Sequence, residues 1–252
     1  MQEKVQTIEQ VLEELDKIIE QTVRDNNYLG IFAYVYRRTT AQIRQAITDK
    51  QFENNERMEK MDVNFAGKYL DAYQKFNHNE DCPESWSVPF KARNEKLTII
   101  QHLLMGMNAH INLDLGVAAS ETAPGETIHE LENDFMKVND ILDSLTEEME
   151  KRIGRVSRWM FLLGWIGGKT DDAIVNFSIR KARDEAWEFA CKLSSLDEAG
   201  KLAKIETTDS IIASLAGIIR HPPGIILRSI LKFISRFEEK QVRKIIEELE
   251  KQ

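Results

Sequence analysis

Cysteine, proline and glycine are all scarce in this chain: two, five and twelve among 252 residues. Cys82 and Cys191 lie more than a hundred positions apart and form no CxxC, which excludes a disulfide framework and a thiolate zinc ribbon. So few glycines and prolines leave few tight turns, which disfavours a β-sandwich or barrel. Basic residues are outnumbered, 34 Lys plus Arg against 42 Asp plus Glu, for a net charge of −8. A protein that grips a phosphate backbone shows a basic footprint, so no nucleic-acid partner is expected. No apolar run approaches the roughly 20 residues of a membrane-spanning helix. The first residues, MQEKVQTIEQVLEELDKII, lack the basic-then-apolar layout of a secretory signal, and a cytoplasmic location is expected. No P-loop, GxGxxG, GxSxG or HExxH is present, so nucleotide, dinucleotide, serine-hydrolase and zincin chemistry have no motif to rest on.

What is present is helical periodicity. Val5, Ile8, Leu12, Leu15 and Ile19 recur every three or four residues, as the buried stripe of an amphipathic helix requires. A second periodic stretch covers about 28–47, and a third follows Asn54 and Asn55 and runs to Asn77. The polar, proline-containing segment NHNEDCPESWSVP reads as a loop. Helical period resumes near Phe90 and stops before Pro124. It returns in Ile128, Leu131, Phe135, Val138, Leu142, Leu145 and Met149. WMFLLGWIGG (159–168) reads as a buried connector. Thr170, Asp171 and Asp172 then suit the start of a helix reaching about Leu196. A short apolar helix around 210–219 ends at HPPG, and Pro222 and Pro223 suit entry to a last helix. With 42% hydrophobic residues, a chain of this length supports one core, and we expect residues 1–252 to form a single all-α, bundle-like domain of seven or eight long helices.

One segment has unusual chemistry. In LLMGMNAHINLDLGVAAS, Asn108, His110, Asn112 and Asp114 alternate with apolar residues. That is a strand pattern taken alone, but a lone strand among helices has no partner for its backbone groups. On a helix the four resolve into two pairs one turn apart, Asn108 with Asn112 and His110 with Asp114, on nearly opposite faces. A helix surrounded by protein must give every such group a partner or lose roughly 1 to 3 kcal/mol per orphan. His110 and Asp114 have the reach to share zinc, iron or manganese, or to form an oriented general base. They equally suit a buried hydrogen bond that holds helix register.

Other ligands must come from other helices. In the segment carrying Phe135 and Val138, Asp134 and Asn139 sit on the shoulders of the apolar stripe, while His129 points away from it. Asp62 flanks Met61 and Phe65, with Asp71 further on; His102 suits an internal hydrogen bond, and His78 lies in the polar loop. Arg37, Arg38 and Arg183 can hold a carboxylate or phosphate or make structural salt bridges. Arg183 stands one turn before Trp187, a cation–π spacing.

At LLMGMNAHINLDLGVA the chain resembles an uncharacterised bacterial family, a domain of unknown function, whose members carry a GMNAHINxDL-type signature. MDVNFAGKYLDAYQKF, NDFMKVNDIL, ARDEAWEFACKL and the Pro-Pro step extend the likeness over most of the chain. The resemblance implies an all-helical domain and points to Asn108, His110, Asn112, Asp114, Asp134 and Asn139 without assigning them roles. HINLD is also similar to the HxxxD helix of zinc-dependent phospholipases C and related nucleases, and that likeness implies a hydrolase. Five histidines and no N-terminal Trp depart from the three-zinc pattern of those enzymes.

Three functions follow as expectations. The first is a metal-dependent enzyme, a hydrolase of a small-molecule or lipid-like substrate. His110, Asp114, Asp134 and Asp62 would be its ligands, and His110, Asp134 and Asn139 would act on substrate or water. The second is a non-catalytic helical binding or scaffold protein in which the Asn–His–Asn–Asp segment is a satisfied polar core. The third is contact with a membrane. Residues 217–237 hold Arg220, Arg228, Lys232 and Arg236 and no acid, with Ile226, Ile230, Phe233 and Phe237 on one face. That face is expected to pack mainly into the core.

Overall fold

A computed structural model describes residues 4–163 and 178–251. Among them no strand occurs. The first helix, α1 (Ile8–Arg24), starts where the Thr7 side chain accepts a hydrogen bond from the Gln10 N–H, and it buries Val11, Leu12, Leu15 and Ile18. α2 (Leu29–Thr48) packs antiparallel to it across a short link. α3 (Asn55–Asn77) begins at Asn54, whose side chain accepts from the Arg57 N–H. These three match the periodicity closely.

From there the chain breaks more often than its pattern suggests. Part of the expected loop is helical: α4 (Glu84–Lys91) carries Trp86 and Phe90 into the core, with Pro83 at its N-cap. Ala92–Thr98 then interrupts, and α5 (Ile99–Ala109) starts with a reciprocal capping box between Thr98 and Gln101. His110–Asp114 is a single widened turn with π-type hydrogen bonding, and α6 (Leu115–Thr122) continues from it. A 3-10 segment, Gly125–Leu131, leads into α7 (Glu132–Val156).

The proposed start of the next helix at Thr170, Asp171 and Asp172 lies outside the described residues. What is described is α8 (Ile179–Ser194), with Ser178 at its N-cap. α9 (Glu198–Arg220) is much longer than the 210–219 core of its pattern, because Asp197 caps it through the Gly200 N–H. After Pro222, Pro223 and Gly224, the last at φ +90°, the chain bends 71° into α10 (Ile225–Phe237). The expected last helix breaks once more before α11 (Val242–Glu250).

α6 packs on α8 and α3, α9 on α4 and α5, and α11 on α7 and α2, so the unusual turn at His110–Asp114 lies near the middle of the bundle. Gly116 allows α6 to approach α8: a Cβ there would meet the Ala186 carbonyl at 2.9 Å.

Two expectations about apolar segments are corrected. Trp159 and Phe161 are exposed rather than part of a buried connector; the rest of that run from 164 on lies outside the described residues. In α10 it is Leu227, Leu231 and Ile234 that pack inward, while Ile226, Phe233 and Phe237 stay exposed. The helix has two apolar sectors, and only one can face the protein. No single helix among the described residues is long and apolar enough to cross a membrane.

Candidate functional site

The widened turn keeps both expected pairs. Asn112 Nδ2 donates to Asn108 Oδ1 at 2.9 Å, and Asn108 Nδ2 donates to the Ile212 carbonyl at 2.9 Å, tying this turn to α9. On the other face His110 Nδ1 lies 3.4 Å from Asp114 Oδ2, which also accepts the indole N–H of Trp86 at 2.8 Å. Both His110 and Asp114 are buried. Aromatic rings enclose the imidazole. Phe65 stacks on it at 3.7 Å between centroids and Tyr36 meets it edge-on at 4.2 Å, with Phe32, Tyr69 and Trp86 completing the wall. Gly106 makes room for this cage, because a Cβ there would lie 2.7 Å from the Phe32 ring.

Burial, opposed by Asp114, lowers the His110 pKa, so the imidazole is neutral; with Nδ1 donating to Asp114, Nε2 presents a lone pair and has no partner. Asp62, also buried, has an unpartnered Oδ2, and desolvation with Glu59 nearby raises its pKa to about 7. Burial, with the Asp62 carboxylate close by, holds the Tyr36 phenol protonated well above its usual range, against a side-chain hydrogen bond with Thr40.

Tyr36, Asp62 and His110 line a cavity of about 480 Å³ among α2, α3, α5, α7 and α8. Most of its wall is apolar: Ile43, Met58, Met61, Phe65, Leu103, Met107, Leu142 and Met149 are typical. Asn139 and Arg183 supply a second polar region. Arg183 Nε donates to Asn139 Oδ1 at 2.6 Å and Nη2 to the Phe135 carbonyl at 2.7 Å. Its guanidinium lies 4.5 Å from the Phe135 ring centre, so the cation–π partner is Phe135 and not Trp187. Desolvation lowers the Arg183 pKa to about 10, and among the described residues no carboxylate stands within ion-pair distance of it.

The other expected residues are elsewhere. Asp134 is buried but faces the start of α3, where it accepts from the Glu53 and Asn54 N–H groups at 2.6 and 3.0 Å and meets Arg57 at 3.4 Å. Asp114 sits behind the His110 ring and is not part of the cavity wall. Among the described residues no three His, Cys, Asp or Glu side chains come together as a metal-binding group, so the set His110, Asp114, Asp134 and Asp62 does not fit a shared metal. Arg38 pairs with Glu148 at 2.8 Å, Arg37 binds Asp16 through both oxygens, and Asp71 pairs with Lys75. His129 and His78 are exposed. His102 lies 3.2 Å from the Glu95 carbonyl through Nε2 and stacks on Tyr28, with its pKa lowered to about 4 by burial.

A model of the Family of unknown function (DUF5995) matches residues 8–222. The chain belongs to DUF5995. Neither the curated proteins nor the solved structures contain a match to it. The match to DUF5995 covers α1 through α9 and therefore every element that lines the cavity.

Tyr36 and Trp86 belong to this site without standing out in the sequence. Tyr36 had a signal: Tyr28, Phe32, Tyr36 and Thr40 recur one turn apart on a single face of α2. Trp86 had none beyond the general need of a buried indole N–H for an acceptor.

Proposed function

We propose that this protein is a binding protein for a largely apolar small molecule carrying a neutral hydrogen-bonding group, held in the cavity between α2, α3, α5, α7 and α8. One observation carries this reading: a wall of Leu, Ile, Met and Phe side chains shared with Asp62 and His110, each of which has an unpartnered buried polar atom. The volume lies within the roughly 300 to 1,000 Å³ of small-molecule sites. Each orphaned polar atom costs roughly 1 to 3 kcal/mol, and a ligand hydroxyl or carbonyl relieves that cost. Beside Asp62 and His110 a carboxylate is disfavoured, because Asp62 already resists its own charge there, and Arg183 at the other polar region has its Nε and Nη2 committed to Asn139 and the Phe135 carbonyl.

Displacement of the neutral fluorophore N-phenyl-1-naphthylamine tests this. Dodecanol is expected to compete about tenfold better than dodecanoate. Leu142→Trp, which fills the cavity, is expected to abolish binding of both probe and competitor. Equal competition by the two amphiphiles would remove the polar anchor, and full binding by Leu142→Trp would remove the cavity.

A second reading, hydrolysis of a bound ester, is favoured by the orientation of His110: Nδ1 toward Asp114 and Nε2 free to take a proton from an attacking water. It needs no metal. Turnover of p-nitrophenyl alkanoates that His110→Gln abolishes and Asp134→Asn leaves intact would support it; no turnover above the buffer rate would dismiss it.

A further inference from the structure

Residues 210–237 contain no Asp or Glu, although the chain as a whole carries −8. At about 100° per residue, α10 divides into three sectors. Leu227, Leu231 and Ile234 face the protein. Ile226, Phe233 and Phe237 form a second apolar sector turned outward, and Ile226 is 71% exposed. Arg228, Lys232 and Arg236 form the third, all exposed, and among the described residues none has a carboxylate within ion-pair distance. The outward apolar sector is extended by the segment after α7. Trp159 lies 5.4 Å from Phe233 and 6.1 Å from Phe237 between ring centres, and Phe161, 65% exposed, lies beside it.

We propose that this face docks on an anionic lipid bilayer, with α10 in the plane of the interface, its aromatic sector among the acyl chains and its basic sector on lipid phosphates. Exposed rings clustered beside unpaired cations are the composition of an interfacial helix. Charge complementarity selects the occupant. In a two-fold dimer through the same face, the three cations of one copy would meet the three of the other. Spanning is excluded for this helix by Leu227, Leu231 and Ile234, which are committed to the protein core. The proposal is independent of what the cavity binds.

Co-sedimentation of the full chain with two vesicle types tests it: phosphatidylcholine alone, and equimolar phosphatidylcholine and phosphatidylglycerol. The protein is expected to pellet with the anionic vesicles only, and less so as salt rises. Each basic residue near such a surface contributes roughly fivefold, so the triple variant R228Q/K232Q/R236Q is expected to bind on the order of a hundredfold more weakly. Phe233→Ser with Phe237→Ser, both at exposed positions, is expected to weaken binding with the fold unchanged by circular dichroism. Equal binding to both vesicle types, or wild-type protein remaining in the supernatant, overturns the proposal. So does a dimer in sedimentation velocity that the Phe233→Ser, Phe237→Ser variant dissociates, which would assign the face to a second copy.

Discussion

Asp62 gives the stability of this protein a pH signature. Its folded-state pKa of about 7 lies above the 3.8 of an ordinary aspartate, so between those values the native state holds a proton that the unfolded chain has released. The Asp62 contribution is therefore fully present below about pH 4 and is lost as pH rises toward 7. Asp62→Asn removes the charge and keeps the shape. Denaturant titrations of the two proteins are expected to agree near pH 4 and to diverge with rising pH, the variant being more stable by a few kcal/mol (about 1 to 4) at pH 8. Buried His102 works in the opposite direction: its pKa of about 4 lies below the usual value, so its contribution fades as pH falls below about 6.5. Asp134 has a different role again, since its two backbone N–H partners, Glu53 and Asn54, tie α7 to the link that leads into α3. Asp134→Ala is expected to lower unfolding free energy by roughly 1 to 3 kcal/mol while leaving probe affinity within about twofold, as read by denaturation and fluorescence. The sequence marks Asp134 as a core-boundary acid but not as an anchor for that link, because the N–H groups it serves are about eighty residues upstream.

Acceptors distant in sequence recur among the elements and explain where their boundaries were legible. α1, α2 and α3 follow from local periodicity and from Thr7 and Asn54, which sit next to the helices they cap. α4 does not: its Glu84 and Ser85 N–H groups are accepted by Asp209 of α9 at 2.7 and 3.0 Å, and the Ile99 N–H at the start of α5 is accepted by Glu238 at 3.0 Å. A cap more than a hundred residues away leaves no local trace, and the prolines flanking Trp86 read as loop. Asp209→Ala is expected to cost roughly 1 to 2 kcal/mol by chemical denaturation. It should also disturb Trp86 and so the Asp114–His110 pair, seen as a change in tryptophan emission. The His110–Asp114 and Asn108–Asn112 pairs were legible because residues four apart meet in an α-helix and still meet in the widened turn. The turn itself was not, since nothing in HINLD separates one hydrogen-bonding register from another. Gly106 has a packing reason that only the structure gives. Gly106→Ala must push the Phe32 ring out of the His110 cage, and the expected cost is roughly 1 to 3 kcal/mol with weakened probe binding.

At the scale of the molecule, an all-helical fold follows from the period of the apolar residues, whereas the cavity does not. Whether a space remains where five helices converge depends on how the volumes of facing side chains fit, and periodicity says nothing about fit. The same limit hid the surface of α10, where two apolar sectors compete for one core and only packing decides between them. The claim that this fold presents an internal site for an apolar molecule meets its most direct test in the methionines. Met58, Met61, Met107 and Met149 line the cavity, while Met105 and Met136 do not. Methyl NMR of methionine-labelled protein, titrated with dodecanol, is predicted to move the four cavity methyls in a saturable way and to leave those of Met105 and Met136 in place. Unchanged cavity methyls at saturating dodecanol, or shifts confined to methionines outside the cavity, would contradict it.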